Sequence, residues 1–239
     1  MKKSILLFVV MIACSIQMQA QRMDFWLDVG LKVQYGFTSL FNANATSGGE
    51  WDNALTSGTK YGVKFGINWN YTGVSLDILT GTTKGSFQDI GTNEGGDREI
   101  SVNSTDFYLL FRNAKNKGYF ELGPKYSLIG DIRNSAGTAN LEDFYESGNL
   151  GGVLGFGTYI LGPEDGRFSG ILGLRFEYGF QDLTNDAGKA LENRQPIPYL
   201  GDETASTNPI FVGLVFEANW GIGGVGQARC GERSKFIWF

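Results

Sequence analysis

The sequence predicts an all-β chain that closes into an antiparallel up-and-down transmembrane β-barrel of about eight strands, with short periplasmic turns and long external loops. Three observations predict it: segments that alternate apolar and polar residues, connections that alternate short and long, and an apolar leader before the first strand. The clearest segment is Asp24 to Phe37. Phe25, Leu27, Val29, Leu31, Val33, Tyr35 and Phe37 share one face, while Trp26, Asp28, Gly30, Lys32, Gln34 and Gly36 share the other. Successive strand side chains point to opposite sides, so this run has one apolar face and one polar face. A membrane-crossing strand needs about 9–11 residues in hydrocarbon, and this one is long enough.

The alternation returns after each break. Tyr61, Val63, Phe65, Ile67 and Trp69 oppose Gly62, Lys64, Gly66 and Asn68; after the turn Asn70-Tyr71-Thr72-Gly73, Val74, Leu76 and Ile78 oppose Ser75, Asp77 and Gly81. Thr105, Phe107, Leu109 and Phe111 form the next apolar face. Residues 113–118 turn the chain, and Phe120, Leu122, Pro124, Tyr126 and Leu128 oppose Glu121, Gly123, Lys125 and Ser127. Leu154, Phe156 and Ile160 oppose Gly155, Gly157 and Tyr159. Past the turn at 162–167, Leu172, Leu174, Phe176, Tyr178 and Phe180 oppose Gly173, Arg175, Glu177, Gly179 and Gln181. Last, Ile210, Val212, Leu214, Phe216, Ala218 and Trp220 oppose Gly213, Glu217, Asn219 and Gly221. Between these strands the connections at 70–73, 113–118 and 162–167 are short, and those at 40–58, 84–99, 131–148 and 182–208 are long. Strict alternation sends every long loop to one end, the habit of outer-membrane barrels.

Residues 1–20 read as a signal peptide: Lys2 and Lys3, a short apolar core from Ser4 to Ala13, and a small residue, Ala20, at the expected cut. Met11-Ile12-Ala13-Cys14 is also compatible with a lipobox, which would leave Cys14 lipidated. The barrel is expected over 21–221, with 222–239 as a final strand or a periplasmic extension. With Cys14 removed, Cys230 stands alone and no internal disulfide is expected. The chain carries a formal charge of −5, and −7 without Lys2 and Lys3, which disfavours nucleic acid as a partner.

Which face turns outward separates a membrane barrel from a secreted barrel that holds an apolar small molecule. The polar face carries both signs at mid-strand, in Asp28, Lys32, Lys64, Asp77, Glu121, Lys125, Arg175, Glu177 and Glu217. In a narrow lumen these nine can form a charge network. Glycines on the same face, such as Gly30, Gly66, Gly155 and Gly157, leave room for long charged side chains. Phe25, Tyr35, Phe37, Tyr61, Trp69, Tyr71 and Trp220 sit near strand ends, as interfacial girdles require. The expectation is an apolar face toward outer-membrane lipid.

Leu172-Gly173-Leu174-Arg175-Phe176-Glu177-Tyr178-Gly179-Phe180-Gln181-Asp182-Leu183 resembles the "RY…G…D" strand of small outer-membrane barrels of Bacteroidetes, the porin-like and PorT-like proteins. Glu121 to Tyr126, Gly151 to Gly157 and the Ala20-Gln21 cut fit the same picture. The resemblance implies the barrel fold, an outer-membrane location and, through the PorT-like members, a link to protein secretion. It implies no reaction.

The chain has no histidine, so the usual base for an acyl-transfer or protease site is missing, as are histidine metal ligands. The adjacent carboxylates Glu142–Asp143 and Asp202–Glu203 read as solvated loop acids. So do Glu94, Asp97, Glu99, Glu146, Asp186 and Glu192, with calcium the competing reading for the acidic loops. Gly221 to Gly226 lacks the lysine and helix of a nucleotide loop. The expected function is non-catalytic and needs no cofactor: a structural, recognition or accessory barrel in an envelope complex, its protein partners met through the loops. The alternatives are the secreted ligand-binding barrel and a narrow pore.

Overall fold

Period-two alternation builds the wall. The computed structural model describes residues 23–42, 51–89, 98–115, 117–134, 141–162, 167–190, 206–226 and 235–238. The strands are β1 (Met23–Asn42), β2 (Trp51–Ala54), β3 (Thr56–Trp69), β4 (Thr72–Asp89), β5 (Arg98–Lys115), β6 (Gly118–Asn134), β7 (Gly148–Leu161), β8 (Phe168–Gly179), β9 (Thr207–Gly226) and β10 (Lys235–Trp238). Eight of them close a ring in the order β1-β3-β4-β5-β6-β7-β8-β9, every pairing antiparallel, with β9 returning to β1. The short β2 extends the β3 position along β4.

One circuit of the hydrogen-bond register fixes the barrel's shape. From Leu27 it passes through Ile67, Val74, Phe111, Leu122, Leu154, Phe176 and Val212. It arrives back on β1 at Phe37, ten residues further along than it started. Ten residues of stagger over eight strands tilt the strands by roughly 40° and give a lumen only wide enough for side chains. Every residue on that circuit is apolar and faces outward.

Those outward faces form a continuous apolar surface. Phe37 is 63% exposed, and Leu31, Tyr35, Phe65, Leu109, Leu122, Phe156, Leu174 and Leu214 join it. The inward faces hold the charges, so the secreted barrel with an apolar cavity is overturned by the orientation of the wall. This is a membrane β-barrel of the outer-membrane type. Among the described residues no helix is long and apolar enough to cross a membrane.

The wall is taller than the sequence suggested. Strands occupy much of the stretches read as loops at 40–58, 84–99 and 131–148: β1 runs to Asn42, β4 to Asp89 and β6 to Asn134. The cause is a change of surroundings. Past the lipid level, β4 and β5 turn Lys84, Ser86 and Ser101 outward and Phe87, Ile100 and Val102 inward. Period two continues there, but without an apolar outward face to announce it.

At the opposite end, β9 runs to Gly226, five residues past the expected boundary at 221, and its last residues pair with β1. There β10 pairs with Gly223–Gly226, beyond the point where β8 begins opposite Trp220. Residues 221–226 are therefore strand, not a nucleotide loop. The leader at 1–20, Cys14 and Cys230 lie outside the described residues.

Candidate functional site

All nine charged positions expected in the lumen point inward and are buried, and the structure adds Lys60, Asp106 and Arg112. Six cations and six anions result, so the buried charge sums to zero. The nine alone would have left five acids against four bases. That imbalance of one charge signals a further net cation in the lumen, which Lys60, Arg112 and Asp106 together supply. Asp106, between Thr105 and Phe107, and Arg112, just after Phe111, take inward positions beside the apolar face that marks β5. Lys60 directly precedes Tyr61, the first residue of the second alternating segment.

The charges lie in two tiers. The larger tier centres on Glu217, whose carboxylate accepts two parallel bonds from Arg112 (Nη1 to Oε1 2.7 Å, Nη2 to Oε2 2.8 Å). Lys32 and Lys64 reach the same carboxylate at 2.9 Å each. Arg112 Nη2 also donates to Glu121 Oε2 at 2.6 Å, and Arg175 Nε to Glu121 Oε1 at 2.9 Å. Asp77 bridges Lys32 and Arg175, and Asp28 accepts from Lys64 at 3.3 Å and from Asn68 at 3.1 Å. Forked arginine–carboxylate contacts are the strongest of the protein ion pairs, and here they fix side chains from five strands.

Nearer the loop end, Lys60 donates to Asp106 (2.6 Å) and Glu177 (2.8 Å), and Lys125 to Glu177 (3.0 Å). Tyr108 links the tiers: its hydroxyl lies 3.0 Å from both Asp106 and Glu177, and the Arg175 guanidinium stacks over its ring at 5.1 Å. Glycine makes the room. A Cβ on Gly155 would strike the Glu121 side chain, one on Gly66 would strike Asp28, and Gly213 backs directly onto Gly36.

Apolar layers close both ends of the lumen. At the turn end, Ala114, Tyr119 and Ile171 pack with Tyr159, and Arg112 lies 4.7 Å over the Tyr119 ring. At the loop end, Leu40, Phe87, Ile100, Val102 and Ile132 from the wall meet Leu141, Tyr145 and Leu183 from the connections. A cavity of about 20 Å³, enough for one water, separates that plug from Lys125 and is lined by Thr83, Ser104, Ser127 and Asn149 as well.

The connecting segments form a small cap over the mouth. A 3₁₀ turn (Glu142–Phe144) and a one-turn helix α1 (Asp186–Lys189) are joined by a bridge between Tyr145 and Thr184. Asn185 ties them: its Oδ1 accepts from Gly188 N at 2.9 Å, and its Nδ2 donates to the carbonyls of Asp143 (2.9 Å) and Tyr145 (3.2 Å). Asp182 accepts from the backbone of Thr184 and Thr207, and Lys189 reaches it at 2.8 Å. That hydrogen bond raises the Lys189 pKa, while burial raises that of the Tyr145 phenol.

Among the described residues each buried lumen carboxylate lies within ion-pair distance of a cation, and of these Asp28 keeps a slight exposure. Of the acid pairs, Glu142 and Asp143 stand exposed in the cap, and Asp202–Glu203 lie outside the described residues, as do Glu94, Asp97 and Glu192. Glu99 pairs with Lys84 at 2.8 Å. Among the described residues no group of three or more His, Cys, Asp or Glu is placed to hold a metal.

No family profile and no curated protein matches the chain. Among solved structures it is similar to Neisserial surface protein A (12% identity, TM-score 0.41, covering 81% of this chain and 96% of that one). It is similar too to the outer membrane protein OprG from Pseudomonas aeruginosa (14% identity, TM-score 0.39, 84% and 96%). A third similar chain is the translocator domain of autotransporter NalP from Neisseria meningitidis (11% identity, TM-score 0.25, 92% and 95%). At such identities and scores the likeness carries nothing about activity.

Proposed function

We propose that this chain is a non-catalytic outer-membrane barrel, a structural or accessory element of an envelope complex that meets its protein partners through the capped loop end. The observation that carries this reading is the closed, charge-balanced lumen. Among the described residues six cations balance six anions within it, and apolar layers close it at both ends, which favours a structural role over catalysis or solute passage. What the molecule offers to others is its outer wall and its cap. The resemblance of 172–183 to PorT-like barrels adds protein secretion as the setting.

Photo-crosslinking from the cap tests it. A crosslinker introduced at Glu142 or Asp186 in whole cells is expected to give discrete adducts with envelope proteins, and one at Leu174 in the lipid-facing wall to give none. Adducts of equal pattern from both sites would remove the recognition role. Steady planar-bilayer currents that change with Arg175→Met would replace this reading with the narrow pore.

A further inference from the structure

The apolar belt is not the same height all round the barrel. At the strand tilt fixed by the register, one residue rises about 2.5 Å and one step sideways to the next strand about 3 Å. On β9 the outward apolar residues run from Ile210 to Ile222, about 30 Å; β1 matches this from Phe25 to Phe37. Across the ring, β4 offers only Val74, Leu76 and Ile78, and β5 only Phe107, Leu109 and Phe111, about 10 Å between end residues. A usual barrel belt is about 25 Å tall.

Hydroxyl side chains replace the missing apolar layer. At the height where other strands turn Phe37, Tyr126, Leu150 and Tyr178 outward, the β3–β5 arc turns out Thr59, Thr80, Thr82 and Thr105. Below Val74 and Phe111 stand Thr72 and Asn113, a registered pair. Three of these hydroxyls are already satisfied within the wall: Thr80 donates to the Ser104 carbonyl (3.3 Å), Thr82 to Asn103 Oδ1 (2.7 Å) and Thr72 to the Trp69 carbonyl (3.1 Å). They require no bonds from a second protein.

From this we infer that the β4–β5 arc faces a locally thinned bilayer, with lipid headgroups and water drawn to the level of Thr80 and Thr82, while the β8–β9 side holds full thickness. A short hydrophobic segment is accommodated either by thinning the bilayer or by association. The self-satisfied hydroxyls favour lipid as the occupant. A barrel built this way softens the membrane on one side only and so sets the direction in which it perturbs its surroundings.

Nitroxide labels test this in the full mature chain carrying Cys230→Ser, in phosphatidylcholine vesicles with 18-carbon acyl chains. Thr82→Cys and Tyr178→Cys place labels at nearly equal height on opposite sides. The label at 178 is expected to favour oxygen over a polar nickel reagent. At 82 the nickel accessibility is expected to be several-fold higher, as in the headgroup region. Equal, hydrocarbon-like readings at the two sites would overturn the inference. So would an immobilised label at 82 with spin–spin broadening between copies, which would make the arc a protein interface. In 12-carbon lipids the two sites are expected to converge, and an unchanged difference there would also overturn it.

Discussion

One wall carries two opposite polarities. At lipid level the wall turns Leu174 and Phe176 outward and Arg175 inward; above it, β4 and β5 turn Lys84 and Ser101 outward and Phe87 and Val102 inward. The outer medium sets the rule. Lipid leaves no water to pair with outward polar groups, so polarity is moved inward and must neutralise itself there. Water above the membrane solvates outward polar groups, and the lumen there can be an ordinary hydrophobic core, with Leu40, Ile100 and Ile132 closing on Leu141 and Leu183. Dense ion pairing is what an inside-out wall requires where its interior is narrow.

The largest expected effect comes from breaking the inner rule. Arg175 is 0% exposed and spans Glu121 and Asp77. Arg175→Met leaves Glu121 to Arg112 and Asp77 to Lys32, with one net negative charge buried in the lumen, and should cost about 3–5 kcal/mol, read as a lower urea midpoint of the folded barrel in vesicles. Pairing it with Glu121→Gln should recover part of the loss, and a double variant no better than the single would refute the network as drawn.

Breaking the outer rule should cost somewhat less. Leu174→Arg puts a charge on the lipid face of β8 and is expected to lose about 2–4 kcal/mol near mid-membrane. The heat-dependent shift in gel migration, boiled against unboiled, should weaken. An undiminished shift and midpoint would mean that this face does not meet lipid.

Smaller effects belong to the cap, where water surrounds the outer face. Asn185→Ala removes the helix N-cap and two bonds to the 3₁₀ turn, at about 1 kcal/mol. Faster tryptic cleavage at Lys189 with an unchanged barrel midpoint is the expected result, and equal loss from both would join cap and barrel into one unit. Smallest is Tyr145→Phe. The buried Tyr145 hydroxyl has no hydrogen-bond partner among the described residues, so stability should stay within about 0.5 kcal/mol or rise; a clear loss would mean that the hydroxyl is bonded.

How much of this was legible in the chain varies by element. β1 and β8 could be read nearly residue by residue, because Phe25–Phe37 and Leu172–Phe180 alternate without error against lipid. The upper halves of β4 and β5 could not, since Thr82-Thr83-Lys84-Gly85-Ser86 looks like a polar loop until its inward partners are known. Lys60, Asp106 and Arg112 were missed for a similar reason. Each lies beside the apolar positions used to find its strand, and the closed ring is what brings all three into one lumen.

The sequence by itself determined the barrel class, its even strand number, the outward apolar face and most of the inward charges, because period two and alternating loop lengths are local properties. Tertiary structure alone decided which charges pair, how the loop segments 141–147 and 182–190 plug the mouth, and where the belt narrows. Those outcomes depend on a stagger of ten residues around the closed ring. Register is a relation among all eight strands, and no single strand encodes it.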